Sequence, residues 1–288
     1  MRIGILITTY RRNALLLRLI TQCRGFLVGY RGPNQYSICV SDSDPDNPMG
    51  TAIRSSCDCY TINPGFGFDE NLFYFYKAQA SNFDYLLSVS DDDIFAPSHV
   101  NPLLLLDLAA NLGAEAVLFN HCDYMNRSEN VIEIGNPYYT SAIFQSDKRS
   151  LFEAHLRKLP RHIGLMYSVP NLLKNMDDIC RYKSTLHLYP APFIFAARDA
   201  QAVFLNVPLL YFSNELAKDG AWENGEQVFD GLLLFVKLSK QYLSDTDYRT
   251  MVSGFMNSYL GSEAWLRLEL IRRGYKPMAE ATVTEQLL

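Results

Sequence analysis

The chain has 288 residues, of which 48% are hydrophobic and 20% are charged, so it can bury a large core and lacks the composition of a disordered protein. Its net charge of −5 argues against a general nucleic-acid binder, because such proteins usually present a basic face. No apolar run approaches the ~18 residues of a membrane span, and no signal peptide is visible at the amino terminus. We therefore expect a globular, cytoplasmic protein.

The sequence of residues 3–62 predicts a strand, a helix and two further strands. Residues 3–8 form a continuous apolar run, which is typical of a strand covered on both faces. Residues 14–23 carry leucine and isoleucine at helical spacing, and residues 36–40 and 59–62 read as strands. A strand, helix and strand in this order predict a parallel pair with a right-handed crossover.

The later elements continue the alternation of helix and strand as far as residue 120 and become harder to assign beyond it. Residues 121–150 are polar and turn-rich, and long helical patterns begin at residue 226. The predicted elements are helices at 72–81, 100–112 and 151–159, strands at 83–89, 114–120 and 161–168, a helix after the apolar stretch 191–197, and a strand within 203–212.

Three consecutive carboxylates follow the predicted strand 83–89. Asp91, Asp92 and Asp93 repel one another, so the folded chain has to compensate them or leave them solvated. Because alternate residues of an extended chain point the same way, Asp91 and Asp93 are expected to face one divalent cation while Asp92 turns elsewhere. The alternative is an acidic surface loop that caps a helix.

Polar loops follow three of the predicted strands, at residues 8–13, 41–46 and 90–93. The carboxyl ends of parallel strands meet at one edge of a sheet, where α/β proteins bind their ligands. These loops therefore predict a cleft large enough for a nucleotide. The glycine-rich turn at 63–71 opens a helix whose amino terminus favours a phosphate, although a plain tight turn explains it equally.

Taken together, these motifs resemble those of glycosyltransferases with the GT-A fold, of the family-2 type that builds bacterial O-antigen or capsule polysaccharide. The resemblance covers residues 1–120 and departs from the family at Arg11, where Asn is usual. It rests on Thr8-Thr9-Tyr10-Arg11-Arg12-Asn13, on Asp42, on Asn63, Gly65 and Asn71, and on Asp91-Asp92-Asp93 as the Asp-x-Asp motif.

The resemblance implies an α/β, Rossmann-like fold with a mostly parallel central sheet flanked by helices. It implies a GT-A domain at 1–225, with a nucleotide-sugar half at 1–120 and an acceptor half at 121–225, followed by a helical extension at 226–288. A metal-dependent transfer from a nucleotide-diphospho-sugar, with a UDP-sugar as the expected donor, would then reach a hydroxyl of a glycan or lipid-linked saccharide. Inverting transfer is favoured over retaining transfer.

The same resemblance implies roles for individual residues. Asp91 and Asp93 are expected to hold Mn²⁺ or Mg²⁺, hard cations that accept carboxylate and phosphate oxygens. The expected donor contacts are Thr8, Tyr10, Arg11, Asp42, Asn71, Asp91 and Asp92.

The catalytic base is harder to place, because the Glu-Asp motif that the family carries at the start of a later helix has no clean match. Asp177 and Asp178 lie about where the family places this base and are our candidates, with Glu153 and Asp219 as weaker ones. The alternative is that Asp177 and Asp178 are solvated helix residues. A retaining enzyme would need no dedicated base.

Several residues carry a functional and a structural interpretation side by side. His187 could bind the metal or the diphosphate, or be a structural histidine of the core. Arg161 and His162 could meet donor phosphates or form surface ion pairs, and Trp222 could stack on a sugar or pack in the core. The amphipathic segment 265–276 could touch the inner face of the membrane, or pack on the core with its basic residues in solvent.

Two other functional classes remain open at this stage. A nucleotidyltransferase of similar topology would usually open with a glycine-rich loop, which residues 8–13 lack. A non-catalytic nucleotide- or carbohydrate-binding protein would explain the absent base motif but not the intact carboxylates at 91–93. The six cysteines lack zinc-site spacing and are expected to be reduced thiols.

Overall fold

A computed structural model describes most of the chain as a mixed α/β protein. The described residues are 1–63, 67–96, 100–128, 131–137, 144–145, 164–199, 201–213, 225–255 and 287. Within them, no helix is long and apolar enough to cross a membrane.

Ten strands of the described part join in one sheet. In chain order they are β1 Arg2–Thr9, β2 Gln35–Asp42, β3 Cys59–Ile62, β4 Tyr85–Ser90, β5 Ile94–Phe95, β6 Ala116–Ser128, β7 Val131–Pro137, β8 Phe144–Gln145, β9 Leu165–Ser168 and β10 Ala202–Ser213.

Helices pack on both faces of this sheet. Those that the structure describes are α1 Asn13–Gly29, α2 Gly50–Ser56, α3 Phe68–Gln79, α4 Pro102–Asn111, α5 Val169–Lys174, α6 Met176–Ile179, α7 Ala191–Arg198, α8 Gly225–Ser239 and α9 Asp245–Phe255, with short 3₁₀ turns at Ala80–Asn82 and Cys180–Tyr182.

The strand order is β3-β2-β1-β4-β9-β6-β10-β5, with β7 paired to β6 and β8 paired to β10. Strands β3, β2, β1 and β4 are parallel neighbours, and β6 and β10 are also parallel. Strand β9 runs antiparallel between β4 and β6, so that β4 and β6 point the same way. The carboxyl ends of β1, β2, β3 and β4 consequently lie along one edge of the sheet.

Two apolar layers hold the helices to the sheet. Ile3, Ile5 and Ile7 of β1 face one layer with α1 and α4, while Leu6 faces the other layer with α3 and α7. This alternation follows from the two-residue period of a strand. Helices α8 and α9 contribute to the second layer through residues such as Phe235 and Met251. The carboxy-terminal helices therefore pack on the same core as the sheet, and the boundary at residue 225 stays a prediction.

Several element predictions need correction. Helix α3 begins at Phe68 rather than at residue 72, because Asp69 and Glu70 occupy its first turn, where acidic groups suit the helix dipole. Residues 121–128 continue strand β6 and pair with β7 instead of forming turns. The apolar stretch 191–197 is itself helical. Helix α2 was not predicted, since Ile53 is its one buried apolar residue.

Candidate nucleotide-sugar site at the carboxyl edge of the sheet

The three polar loops predicted from sequence meet at the carboxyl edge of the parallel strands. Thr9 at the end of β1 lies opposite Asp42 at the end of β2, and Thr8 lies opposite Ser90 at the end of β4. The parallel order β2-β1-β4 therefore places the three loops side by side. This is the arrangement in which open α/β sheets bind ligands.

Side chains of the first loop bind the acidic turn directly. The Thr9 hydroxyl donates to Asp91 Oδ2 at 2.7 Å, and Arg12 Nη1 lies 3.1 Å from Asp91 Oδ1 and 2.9 Å from Asp92 Oδ2. The Arg12 side chain is 14% exposed and that of Asp91 is 3% exposed. One largely buried guanidinium thus pairs with two carboxylates that repel each other.

Helix α1 holds the same turn at two further points. Arg18 Nη2 donates to the Asp92 carbonyl at 3.0 Å. The amide of Gln22 both donates to the Phe95 carbonyl and accepts from the Phe95 backbone N–H. Because Arg12, Arg18 and Gln22 belong to one helix or its first flanking residue, the acidic turn is fixed relative to β1. A site built on such rigid elements keeps its geometry before a ligand arrives.

The pKa of Asp91 is raised to about 7, mainly because burial disfavours its charge, and Arg12 counteracts this effect. The neighbouring Asp92 charge raises this pKa further. The Arg12 guanidinium therefore does not fully offset the effect of burial on Asp91. A bound cation would supply the missing positive charge.

The predicted alternation of the three carboxylates assumed an extended chain, and the structure differs on this point. Asp91 and Asp92 lie in a turn between β4 and β5, and both meet Arg12. Asp93 instead folds back on the strand end, where its Oδ2 accepts from the Ser90 backbone N–H at 3.0 Å. The strand period ends at Ser90, so it does not set the directions of the carboxylates that follow.

The side chains at this edge could supply only part of the ligand shell of a metal ion. No group of three or more His, Cys, Asp or Glu side chains within the described residues is arranged to hold a metal ion by itself. Mg²⁺ at nucleotide sites typically takes one or two carboxylates and completes its shell with phosphate oxygens and water. The undercompensated carboxyl of Asp91 and the buried Asp93 fit that smaller donor set.

The first loop also presents an exposed aromatic ring. Tyr10 is 44% exposed, and the Arg11 guanidinium carbon lies 4.9 Å from its ring centroid. Arg11 has a φ of +58°, an unusual left-handed conformation for a side chain of this kind, and its Nε lies 3.2 Å from Asp44 Oδ2. Thr8 is buried beneath this loop. The structure thus places Tyr10 and Arg11 at the surface of the edge.

Asp42 is fully buried, and both of its oxygens accept hydrogen bonds. Oδ1 accepts from the Asp44 backbone N–H at 2.9 Å, while Oδ2 accepts from Asn47 Nδ2 at 2.6 Å and from the Tyr60 hydroxyl at 2.8 Å. This carboxylate holds the loop after β2 in place. Contact between Asp42 and a nucleotide base stays a prediction, because a base would have to replace one of these donors.

Asn71 joins a buried polar network beside this loop. Its Oδ1 accepts from the Ser41 hydroxyl at 2.7 Å and from Asn63 Nδ2 at 2.6 Å, and its Nδ2 donates to the Ser41 carbonyl at 3.0 Å. Asn63 Oδ1 is buried and makes no hydrogen bond within the described residues. The network connects β2, β3 and α3, and Asn63 Oδ1 leaves one acceptor unused. Gly65 lies outside the described residues.

Another buried carboxylate, Asp69, holds a tight turn against the first turn of α3. Its Oδ1 accepts from the Leu188 backbone N–H at 3.0 Å, while its Oδ2 is buried without a hydrogen-bond partner in the described part of the chain. Burial raises the pKa of Asp69 to about 8. Leu186 in this turn has a φ of +60°, so the carboxyl stabilises a strained backbone.

His187 lies in the turn that Asp69 holds. Its Nδ1 lies 2.7 Å from the Thr185 carbonyl, and its ring packs near Tyr189 and Phe235. Burial lowers the pKa of His187 to about 4, so the ring is neutral at pH 7. A neutral ring whose Nδ1–H donates to a carbonyl leaves Nε2 as an acceptor. The structure accommodates His187 as a core residue, and its predicted ligand role stays a prediction.

Asp177 and Asp178 are not brought together with the acidic turn by any described contact. Asp178 Oδ1 accepts from the Tyr242 hydroxyl at 2.9 Å and lies 3.7 Å from Arg181 Nε. Helix α6 follows α5, which begins beside the amino-terminal end of β4, at the opposite edge of the sheet. Their role as catalytic bases therefore stays a prediction.

Other candidates lie outside the described residues. They are Glu153, Arg161, His162, Asp219, Trp222 and the amphipathic segment 265–276.

Sequence reasoning included Arg12 in a motif but gave it no role, and it missed Asp69. Arg12 is separated from its partners by 79 and 80 positions, so no local pattern shows the pairing. The sequence did show three adjacent carboxylates that need positive charge, and the pair Arg11-Arg12 in another strand-end loop. The sequence placed Asp69 in the turn before a helix at 72–81, and only tertiary structure reveals its burial.

Comparison with known proteins supports the architecture. No protein-family model matches the sequence, and no curated protein sequence matches it either. Among solved structures, S. aureus TarS residues 1–349 in complex with UDP-GlcNAc superposes with a TM-score of 0.64 at 14% identity, covering 100% of this chain and 78% of that one. The same TarS segment in complex with UDP gives 0.60 at 14% identity, with 96% and 76% covered.

A third structure has the same architecture. The mannosyltransferase PcManGT from Pyrobaculum calidifontis, in complex with GDP-Man and Mn²⁺, gives a TM-score of 0.55 at 11% identity, covering 99% of this chain and 78% of that one. At identities this low, the structural similarity establishes the fold and leaves the activity open. The chain has the GT-A fold that its sequence motifs predicted.

Proposed function

We propose that this chain is a metal-dependent glycosyltransferase that moves a sugar from a nucleotide-diphospho-sugar to a hydroxyl group of a saccharide acceptor. The observation that carries this proposal is the acidic turn Asp91–Asp93, which Thr9 and Arg12 fix at the carboxyl edge of the sheet. Two buried carboxylates at this edge, Asp91 and Asp93, suit a cation and a diphosphate better than they suit a structural loop.

The chain's own residues have separate tasks in this proposal. Asp93 and Asp91 would hold Mn²⁺ or Mg²⁺, and Arg12 keeps Asp91 and Asp92 oriented. When bound, the cation neutralises the charge that develops on the diphosphate leaving group. Tyr10 offers an exposed ring to the nucleoside, with Thr8, Arg11, Asp42 and Asn71 forming the surrounding donor contacts.

The donor is proposed to be a UDP-sugar, and the UDP-GlcNAc and UDP complexes of TarS support this choice. The alternative is a GDP-sugar, because PcManGT was solved in complex with GDP-Man. The acceptor is proposed to be a glycan or lipid-linked saccharide of a bacterial surface polysaccharide. Transfer with inversion, and proton removal by Asp177 or Asp178, are parts of the proposal that rest on the sequence resemblance.

The division into a GT-A domain at 1–225 and a helical extension at 226–288 belongs to the same proposal. Peripheral contact of a cytoplasmic enzyme with the inner face of the membrane is also part of the proposal and rests on the sequence of the segment 265–276, which lies outside the described residues.

The activity is tested by incubating the full chain with UDP-GlcNAc, UDP-glucose, UDP-galactose and GDP-mannose and measuring release of the nucleoside diphosphate with and without Mn²⁺. Glycosyltransferases transfer slowly to water when no acceptor is present, so release from one donor is expected. It should fall at least tenfold in Asp93→Asn, because that change removes a charge from the cation site while preserving side-chain shape.

The matched control is Asp84→Asn, at the opposite edge of the sheet, where Asp84 accepts from the Arg2 backbone N–H. It should release nucleotide at the wild-type rate. Metal-dependent nucleotide binding without release from any donor, even with saccharide acceptors added, would favour the non-catalytic binding protein. Equal release by Asp93→Asn and wild type would contradict the assigned site.

A further inference from the structure

Two cysteines face each other on neighbouring strands at the edge of the sheet. Cys39 of β2 and Cys59 of β3 are direct partners in the parallel register. Neighbouring strands lie about 4.8 Å apart. This spacing falls within the range of about 4.4–6.8 Å over which two Cα atoms can be bridged by a disulfide.

The two thiols differ in burial and in acidity. Cys39 is fully buried, whereas Cys59 is partly exposed. Interaction between the two neighbouring thiols lowers the pKa of Cys59 to about 7 and raises the pKa of Cys39. The Cys39 thiol donates to the Ser37 carbonyl at 3.7 Å, so Cys59 is the more acidic and the more exposed thiol of the pair. A thiolate is the reactive form of cysteine.

A cavity gives small molecules access to this pair. It has a volume of about 310 Å³, and Cys59 lies in its wall. Polar and charged groups dominate the remaining lining, which consists of Arg2, Gln35, Ser37, Asp58, Gln79, Asn82 and Phe83. Arg2 could pair with a carboxylate, and the amides could bind peptide groups, so the cavity suits a small charged peptide-like molecule.

We propose that Cys39 and Cys59 form a thiol pair that reacts with low-molecular-weight disulfides of the glutathione type, with Cys59 as the attacking thiol and Cys39 as the resolving thiol. The pair lies at the amino-terminal part of β3, whereas the donor site lies at the carboxyl edge. The inference is therefore independent of the proposed glycosyltransferase activity.

The reaction balances in two exchange steps. The Cys59 thiolate attacks one sulfur of the small disulfide, forms a mixed disulfide and releases one small thiolate, which takes up a proton from water. Cys39 then loses its proton to water and attacks the Cys59 sulfur, releasing the second small thiol. Overall the protein pair is oxidised by two electrons, and the small disulfide is reduced to two thiols.

The structure gives a reason for this order. The Cys59 thiolate and burial both raise the pKa of Cys39, and the contribution of the thiolate disappears once Cys59 is in the mixed disulfide. Cys57 offers a matched comparison, because it is also partly exposed and lies two residues away. Burial raises the pKa of Cys57 to about 11, so it stays a thiol at neutral pH.

The test treats the folded full chain with oxidised glutathione at pH 7.5, quenches it in acid and maps disulfides and remaining thiols by peptide mass spectrometry. Wild type is expected to lose two thiols and to yield a Cys39–Cys59 cross-linked peptide. Cys39→Ser should lose one thiol and retain glutathione on Cys59, because no resolving thiol remains. Cys57→Ser should behave as wild type.

Oxidation should also raise the thermal unfolding temperature of the full chain, since the new bond closes a loop in the unfolded state. The proposal is overturned if Cys39 remains fully alkylatable after treatment, if the cross-link joins Cys57 to Cys59, or if Cys57 reacts as fast as Cys59. The wild-type peptide map alone decides between these outcomes, so the test holds even where Cys39→Ser does not fold.

Discussion

Asp69→Asn provides a quantitative test of the buried turn beside the proposed site. The folded chain raises the pKa of Asp69 from 3.8 to about 8, because the carboxyl is buried and backbone hydrogen bonds such as that from Leu188 offset only part of this effect. A shift of about four units corresponds to roughly 6 kcal/mol as an upper limit, at about 1.4 kcal/mol per unit. Relaxation around the charge should reduce the observed effect to a few kcal/mol.

The sign follows from proton binding. Between about pH 4 and pH 8 the folded chain keeps the Asp69 proton while the unfolded chain has lost it, so the free energy of unfolding falls as the pH rises. Asparagine preserves the oxygen that accepts from Leu188 and never ionises. At pH 5 the variant should be more stable than wild type by about 1–2 kcal/mol, whereas above pH 8 it should be more stable by a few kcal/mol.

The assay is urea unfolding of wild type and Asp69→Asn at pH 5, 7 and 9. The difference between the two proteins isolates Asp69, because other groups with shifted pKa values, such as Asp91, contribute equally to both. A difference that does not change with pH, or a variant that is less stable than wild type at pH 9, would refute the reasoning. Either result would mean that Asp69 is ionised in the folded chain and stabilised by partners other than those described.

Three further predictions concern other contacts. Arg12→Gln should lower the free energy of unfolding by about 2 kcal/mol and weaken cation-dependent nucleotide binding, since it removes the largely buried guanidinium that contacts both Asp91 and Asp92. Arg11→Gln removes an ion pair whose arginine is 63% exposed, so it should change stability by less than about 1 kcal/mol. Equal urea-unfolding results for the two variants would contradict this contrast. Asn71→Ala should lower the free energy of unfolding, measured by calorimetry, by about 2 kcal/mol, because it leaves buried polar partners unsatisfied. An unchanged free energy of unfolding would mean that water replaces the amide. Gly231→Ala should lower the free energy of unfolding by about 2 kcal/mol or more, because a Cβ there would lie 2.2 Å from the Thr185 carbonyl oxygen. Gly25 has open space around it, so Gly25→Ala should stabilise α1 by about 0.5 kcal/mol. Thermal unfolding of both variants tests the difference.

The strands that build the site could be predicted from sequence because each is a short apolar run followed by polar residues. The run at residues 3–8 and the run before Asp91 correspond to β1 and β4, and their parallel pairing follows from the intervening crossovers. The strand ends, and therefore the loops that carry the candidate residues, were predictable for the same reason.

Contacts between distant parts of the chain were not predictable. A strand was predicted at 161–168, but no local pattern predicts that it runs antiparallel between β4 and β6. The same holds for the Arg12 pairing and for the turn that Asp69 stabilises, since both join residues more than 70 positions apart. The direction of the carboxylates at 91–93 was misjudged because strand periodicity was extended into a turn.

Calorimetric titration of nucleoside diphosphates tests the central claim most directly. UDP and GDP are titrated into the full chain with and without Mn²⁺, and into Asp93→Ala and the control Asp84→Asn. We expect one nucleotide to bind in the presence of Mn²⁺ only, with binding lost in Asp93→Ala and retained in Asp84→Asn. If neither nucleotide binds the folded wild type, or if Asp93→Ala binds as tightly as wild type, the acidic turn is structural and the proposed donor site is wrong.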